Sequence, residues 1–239
     1  MLARVQAFIG TSGFSYKEWK GTFYPDDQPD RGMLSYYATR LAAVEINNTF
    51  YRMPKPELVS GWAGQVADGF RFVLKAPQRI THRERLENSE QSLEWFLAAA
   101  RLLGPKLGAL MFQLPPFFKK DVERLATFLA LLPEDVHAAF EFRHASWFSD
   151  DVYDALRAKN VALVGGDAED GDKSPPLVAT ANFGYLRLRA PEYSEASLAE
   201  WADRIGKQPW NSAFVFLKHE VLGPAYAEKL AVLLRSPTA

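Results

Sequence analysis

The feature that most constrains this chain is an alternation. An apolar run of strand length ends in one or two polar residues, a loop follows, and a segment with helical spacing comes next. Residues 137–148, HAAFEFRHASWF, show the unit most clearly. Ala138, Ala139 and Phe140 lead into Glu141 and Arg143. Side chains two apart on a strand share a face, so both charges are expected to project together from its C-terminal end. Ser149 then offers a helix N-cap, with Asp150 and Asp151 in the first turn, where the helix dipole favours negative charge.

The same reading places strands at 7–10, 43–50, 71–76, 107–114, 137–143, 161–164, 185–189 and 213–218. Helical spacing is carried by residues 33–41, by Val59, Trp62 and Val66 behind Pro56, and by Leu93, Phe96, Leu97 and Ala100. It continues in Val122, Leu125, Leu129 and Leu132, then in Val152, Ala155 and Leu156. Leu198, Trp201 and Ile205 follow an expected cap at Ser194, and Tyr226, Leu230 and Leu233 mark the last helix. Between the sixth and seventh strands, 168–176 reads as a loop with no clear helix after it. Trp62, Trp95 and Trp201 are expected in the core. The aromatic stretch Phe14, Tyr16, Trp19, Phe23 and Tyr24 is either a self-packed lid, the simpler reading, or a stacking platform.

Strands separated by helices favour parallel β-α-β units. Eight such units in 239 residues predict an α/β fold, a (β/α)8 TIM-type barrel forming a single domain over 1–239. An open doubly wound sheet is the rival; it would show fewer strands. No Gly-x-Gly-x-x-Gly follows the first strand and no phosphate-loop motif is present.

Composition narrows the function. Lys plus Arg is 28 and Asp plus Glu is 29, a net charge of −1. That gives no global attraction to nucleic acid or an anionic membrane, so a basic site must be local. The absence of cysteine excludes disulfides, thiolate nucleophiles and Cys-ligated metals. No apolar run approaches the ~18 residues of a membrane span, and the first residues lack a signal-peptide pattern. A cytoplasmic location is expected.

In a TIM-type barrel the active site lies at the C-terminal mouth. The expected strand ends carry Ser12; Glu45 and Asn47; Lys75; Gln113; Glu141 and Arg143; Asp167; Arg187 and Arg189; and Lys218 and His219. His82 and His144 follow in adjoining loops. Alternate strands share a layer, so Lys75, Glu141 and Arg187 are expected in one, and Glu45, Gln113, Asp167 and Lys218 in another. Glu45, Lys75, Glu141 and Asp167 are the catalytic candidates. Glu141 or Glu45 would serve as general base, with Lys75 and Arg143 stabilising an anion. Ser12, Tyr16, Trp19, Asn47, Tyr51, His82, Gln113, Arg143, His144, Trp147, Arg187, Arg189, Lys218 and His219 are candidates for binding substrate. A structural ion-pair network is the competing explanation for any one of them.

No metal or cofactor is expected. The chain has four histidines, His137 begins its strand, and the cations at the mouth repel a divalent ion. The expected partner is a small anionic ligand or a short nucleic-acid strand. Two functions stay open: an enzyme on an anionic substrate, or a binding module without chemistry.

These stretches resemble the YecE-like proteins, domain-of-unknown-function family 72. The likeness rests on Gly10-Thr11-Ser12-Gly13-Phe14 with Tyr16, Trp19, Gly21 and Phe23-Tyr24-Pro25, and on Val44-Glu45-Ile46-Asn47 with Thr49-Phe50-Tyr51. Lys75-Ala76-Pro77 with Thr81-His82, Phe112-Gln113-Leu114-Pro115-Pro116, and Glu141-Phe142-Arg143-His144 with Trp147 complete it. The resemblance implies a TIM-type barrel along the whole chain and no established activity. That fold resembles the endonuclease IV and xylose isomerase barrels, which is a fold-level analogy. The family often ends strand seven with Arg-x-His-Gly, where this chain has Arg187-Leu188-Arg189-Ala190. It often ends strand eight with paired asparagines, where Lys218-His219-Glu220 stands here.

Overall fold

A computed structural model describes residues 5–168 and 174–235. Eight strands run β1 Gln6–Ser12, β2 Ala43–Ile46, β3 Arg71–Lys75, β4 Leu107–Gln113, β5 Ala138–Glu141, β6 Ala162–Gly166, β7 Phe183–Leu188 and β8 Ser212–Leu217. They close in sequence order into a parallel barrel, β8 pairing back to β1. The helices are α1 Met33–Arg40, α2 Asn48–Tyr51, α3 Pro56–Ala63, α4 Glu90–Ala100, α5 Val122–Ala130, α6 Asp150–Ala158, α7 Glu195–Gly206 and α8 Gly223–Arg235. This is the expected (β/α)8 architecture. No helix among the described residues is long and apolar enough to cross a membrane.

The two-residue period of each strand divides the core in two. Inward positions form one cluster, in which Phe8, Phe183, Phe214 and Phe216 pack against small partners such as Ala43, Ala109, Ala139 and Ala162. Outward positions, among them Ile9, Val44, Leu74, Phe112, Phe140 and Val215, join the helices in a larger cluster. Large and small side chains alternate across the lumen, so the barrel is filled below its mouth.

Some element ends differ from the sequence reading. The second strand stops at Ile46, and Asn48–Tyr51 turns into α2. The cause is tertiary: the Thr49 hydroxyl sits 3.0 Å from the Ile46 carbonyl and 2.6 Å from that of Lys75, which pulls the chain across the end of β3. Asn47 therefore lies just past β2; Arg143 and Arg189 also lie just past β5 and β7. Val66 and Leu132 lie beyond α3 and α5, yet both are buried.

Trp62 and Trp201 are buried at 8% and 7% exposure, but Trp95 is 49% exposed and is not a core residue. Two residues beyond Leu93 on α4, it sits roughly 200° around the helix from the buried face. There it packs under the Arg79 guanidinium. Leu233, expected on the buried face of α8, is also partly exposed. The expected 168–176 loop falls mostly on residues 169–173, outside the described residues; no helix occurs between Ser174 and Phe183.

Candidate functional site

Inward positions at the C-terminal strand ends are polar, and a single arginine ties them together. Arg187, near the end of β7, reaches across the lumen to two strands. Its Nη2 donates to Glu45 Oε1 of β2 at 2.9 Å, and its Nη1 donates to Glu141 Oε2 of β5 at 2.7 Å. All three residues are buried. Glu45 also accepts from Ser12 Oγ at 2.9 Å, Asn47 Nδ2 at 3.0 Å and the Tyr185 hydroxyl at 2.6 Å. Glu141 accepts from Gln113 Nε2 at 2.8 Å and pairs with Arg189 Nη1 at 3.3 Å and Arg143 Nε at 3.8 Å. The expected meeting of Glu141 and Arg143 thus survives, although Arg143 stands on the loop.

Gln113 relays the network to Lys75. Its amide oxygen accepts from Lys75 Nζ at 2.9 Å, while its amide nitrogen serves Glu141. The Lys75 ammonium also lies 4.1 Å from the centre of the Phe50 ring, a cation–π distance. The two expected layers are therefore not separate. Glu45 joins Glu141 through the long Arg187 side chain, and Gln113 joins Lys75 and Glu141 through its own amide.

The charges set each other's proton affinities. Burial would raise the Glu141 carboxyl, but Arg187, then Arg189, Gln113 and Arg143, outweigh it and bring it down to about 2. For Glu45, burial is likewise overcome by Arg187, Tyr185, Ser12 and Asn47, and its carboxyl stays below the usual range. Arg187 goes the other way: burial disfavours its charge, and the two glutamates more than restore it. Lys75 is brought down to about 8, by burial first and Arg187 next, against the opposing pull of Glu141 and Glu45. His82 is lowered by burial, Lys75 and Arg143. Its ring stacks edge-on against Phe50 at 4.9 Å.

Other candidates build the rim. Trp19 and Trp147 are fully enclosed, and their indole N–H groups donate to the Glu220 and Phe118 carbonyls, both at 2.7 Å. Trp19 packs against Tyr16, Phe23 and Tyr24, as a self-packed lid does. The Tyr16 hydroxyl donates to the Ser12 carbonyl at 2.7 Å. His144 Nδ1 caps the turn that follows it by accepting from Ser146 N. His219 Nδ1 accepts from the Val221 and Leu222 amides. Asp167 holds the loop after β7, accepting from the Arg189 and Ala190 amides and the Tyr193 hydroxyl. Asp167 thus stands apart from the Glu45–Arg187–Glu141 network. Tyr51 and Lys218 are exposed on the rim.

Two residues of the site were not expected. Tyr185 lies two before Arg187 on β7, so the strand period alone would have placed them on one face. Phe50 had no such signal, since its position follows from the unforeseen turn of α2. Among the described residues no three His, Asp or Glu groups meet in a metal-holding cluster.

A closed eight-stranded parallel barrel with an ionic network at its C-terminal mouth defines the class, a (β/α)8 barrel protein. The chain belongs to the DUF72 family, described as "Protein of unknown function DUF72", which matches over residues 8–239. It is 36% identical to the UPF0759 protein YecE of Escherichia coli K12 over 117 residues, 48% of this chain and 43% of that protein. It is 28% identical to the UPF0759 protein YunF of Bacillus subtilis over 187 residues, 73% of this chain and 65% of that one. These matches thus span less than two thirds of either relative. The fold is also that of a DUF72 family protein from Thermotoga maritima, with a TM-score of 0.79, 24% identity, and 97% and 100% of the two chains covered. A DUF72 family protein from Enterococcus faecalis gives 0.79 at 19% identity, covering 98% and 97%.

Proposed function

We propose that this protein is an enzyme acting on a small anionic substrate at the barrel mouth, with Lys75 as its proton-transferring group. The observation that carries the reading is a surplus of positive charge. Arg187, Arg189, Arg143 and Lys75 surround Glu45 and Glu141, so 4 − 2 leaves two positive charges uncompensated within the cluster. The buried Nε atoms of Arg187 and Arg189 have no hydrogen-bond acceptor among the described residues, and Glu141 Oε1 in the same cluster has no hydrogen-bond donor. A buried donor left unpaired costs about 1–3 kcal/mol, which an acceptor-rich ligand offsets. Arginine forks suit carboxylate or phosphate.

The roles differ from the sequence reading. A general base works best when its pKa is near the operating pH. Glu141, at about 2, is too weak a base, and Glu45 is likewise held ionised by its four donors. Lys75, at about 8, is better matched. The glutamates then serve to hold Arg187 across the lumen. Exposed Tyr51, at the end of α2, and Phe117, after β4, favour a second reading, a module that stacks a short nucleic-acid strand.

Calorimetric titration with inorganic phosphate, and separately with a short oligonucleotide, tests both. One phosphate should bind per chain, more weakly as salt rises. Arg143→Ala should weaken it about tenfold, the loss of one charge-assisted contact. Arg143 is 39% exposed, so its removal should leave the melting temperature nearly unchanged. Absence of phosphate binding, or binding indifferent to both salt and Arg143→Ala, overturns the anion site. Oligonucleotide binding alone favours the second reading.

A further inference from the structure

We infer that the Lys75 amine attacks the carbonyl carbon of a small aldehyde or ketone bearing a carboxylate or phosphate, and forms an imine with it. This names the substrate class for the anionic site and rests on that reading, with the neutral Lys75 amine bonding to carbon where a base would take a proton.

Lys75 ends β3, opens to the mouth and is 9% exposed. Its hydrogen-bond partner is the neutral amide of Gln113, and among the described residues it makes no ion pair. Both buried carboxylates nearby are engaged by Arg187. A lysine placed only to orient Gln113 is an expensive choice, since a neutral donor would do the same without burying a charge. Burial disfavours the ammonium and Arg187 and Arg143 add like charge, against the pull of Glu141, Glu45 and the Phe50 ring face. Desolvation beside a second cation is the environment that turns lysine into a nucleophile toward carbonyls. Arg143, partly exposed on the loop after β5, is placed to take the substrate's anionic group.

The step balances without a redox partner. Neutral Lys75 adds its lone pair to the carbonyl carbon, and the carbonyl oxygen takes up the proton that the nitrogen gives up. The carbinolamine hydroxyl then leaves as water with one more proton, the one the ammonium lost at the start. The net change is ammonium plus carbonyl to iminium plus water.

The groups facing the amine are Arg187 from β7, Glu141 and Arg143 from β5 and its loop, Glu45 from β2, and His82 from the loop after β3. Together with burial they leave a neutral fraction at pH 7 on the order of 10²-fold above that of an ordinary lysine. Lower basicity reduces nucleophilicity in part, so a labelling advantage of at least about tenfold over any other lysine is expected.

The test incubates the full chain with pyruvate, with glycolaldehyde phosphate and with neutral acetone, each with sodium cyanoborohydride at pH 7. Peptide mass mapping locates the adduct, and phosphate titration runs in parallel. The expected result is a dominant adduct on Lys75 with the two anionic probes, faint with acetone and lost in Lys75→Arg. A cooperative melting curve checks that this variant is folded, and phosphate binding is read on the unsubstituted chain. Phosphate binding without a Lys75 adduct overturns the imine and leaves the anion site standing. A Lys75 adduct as strong with acetone as with pyruvate, without phosphate binding, supports the imine and overturns the anionic handle. Neither binding nor adduct overturns both.

Discussion

Replacing Arg187 with methionine is expected to cost about 3–5 kcal/mol of folding stability, read from urea unfolding at neutral pH. The guanidinium is buried and makes its two closest bonds to buried carboxylates, Glu45 and Glu141. Methionine matches much of the volume but leaves two negative charges without their main partner. Water cannot replace it at full strength, because the lumen beneath is packed with Phe216, Tyr185 and Met111. Adding Glu45→Gln and Glu141→Gln to the same chain should recover more than half of the loss, since the groups act as one network and their effects do not add.

The pH dependence has a definite sign. The carboxyls of Glu45 and Glu141 lie below their usual values in the fold. Their contribution is present above the unfolded value of ~4.3 and is lost as pH falls through the folded ones, about 2 for Glu141. The penalty of Arg187→Met should therefore shrink in that acid window, where protonated glutamates no longer need the arginine. A neutral-pH penalty below about 1 kcal/mol would mean the network is an ordinary surface ion pair.

Gly10→Ala is expected to be comparably damaging, at least about 3 kcal/mol, the upper part of the overpacking range. A methyl group there would lie 1.8 Å from the Ala43 carbonyl oxygen and 2.9 Å from the Tyr37 hydroxyl. The first is backbone of the adjacent strand, so relief requires β1 and β2 to separate. The second is pinned, accepting from the Thr11 amide at 2.8 Å and donating to the Ala43 carbonyl at 2.9 Å. Separation would displace Ser12 and Glu45, which pair in register two residues further on. Gly61→Ala in α3 is the control: nothing lies within 4 Å of the added methyl. It should gain about 0.5–1 kcal/mol from helix propensity. Equal melting temperatures for the two variants would contradict the close approach at Gly10.

Much of this was legible in the chain itself. The period of two on each strand placed Glu45, Gln113, Glu141 and Arg187 at polar strand ends, and the recurring helices implied a closed barrel. What strand periodicity does not carry is the reach of a side chain across the lumen. That Arg187 would bridge β2 and β5, and so merge two expected layers, depends on barrel closure. Asp167 looked like its neighbours in sequence, yet its partners are amides and a tyrosine in a loop 22 to 26 residues on. The turn of α2, which brings Phe50 over Lys75, is set by a hydroxyl bond from Thr49 to a carbonyl 26 residues away. The roles proposed for Lys75 and the glutamates rest on the electrostatics of those distances.

The most direct test of a cation-surplus mouth is a carbon-13 NMR titration of the Lys75 side chain, assigned with Lys75→Arg, with and without inorganic phosphate. The account predicts a midpoint near 8 in the free protein. It predicts a rise when phosphate is present, because an anion beside the amine favours its charged form. A midpoint at the ordinary lysine value of ~10.4, unmoved by phosphate, would contradict it.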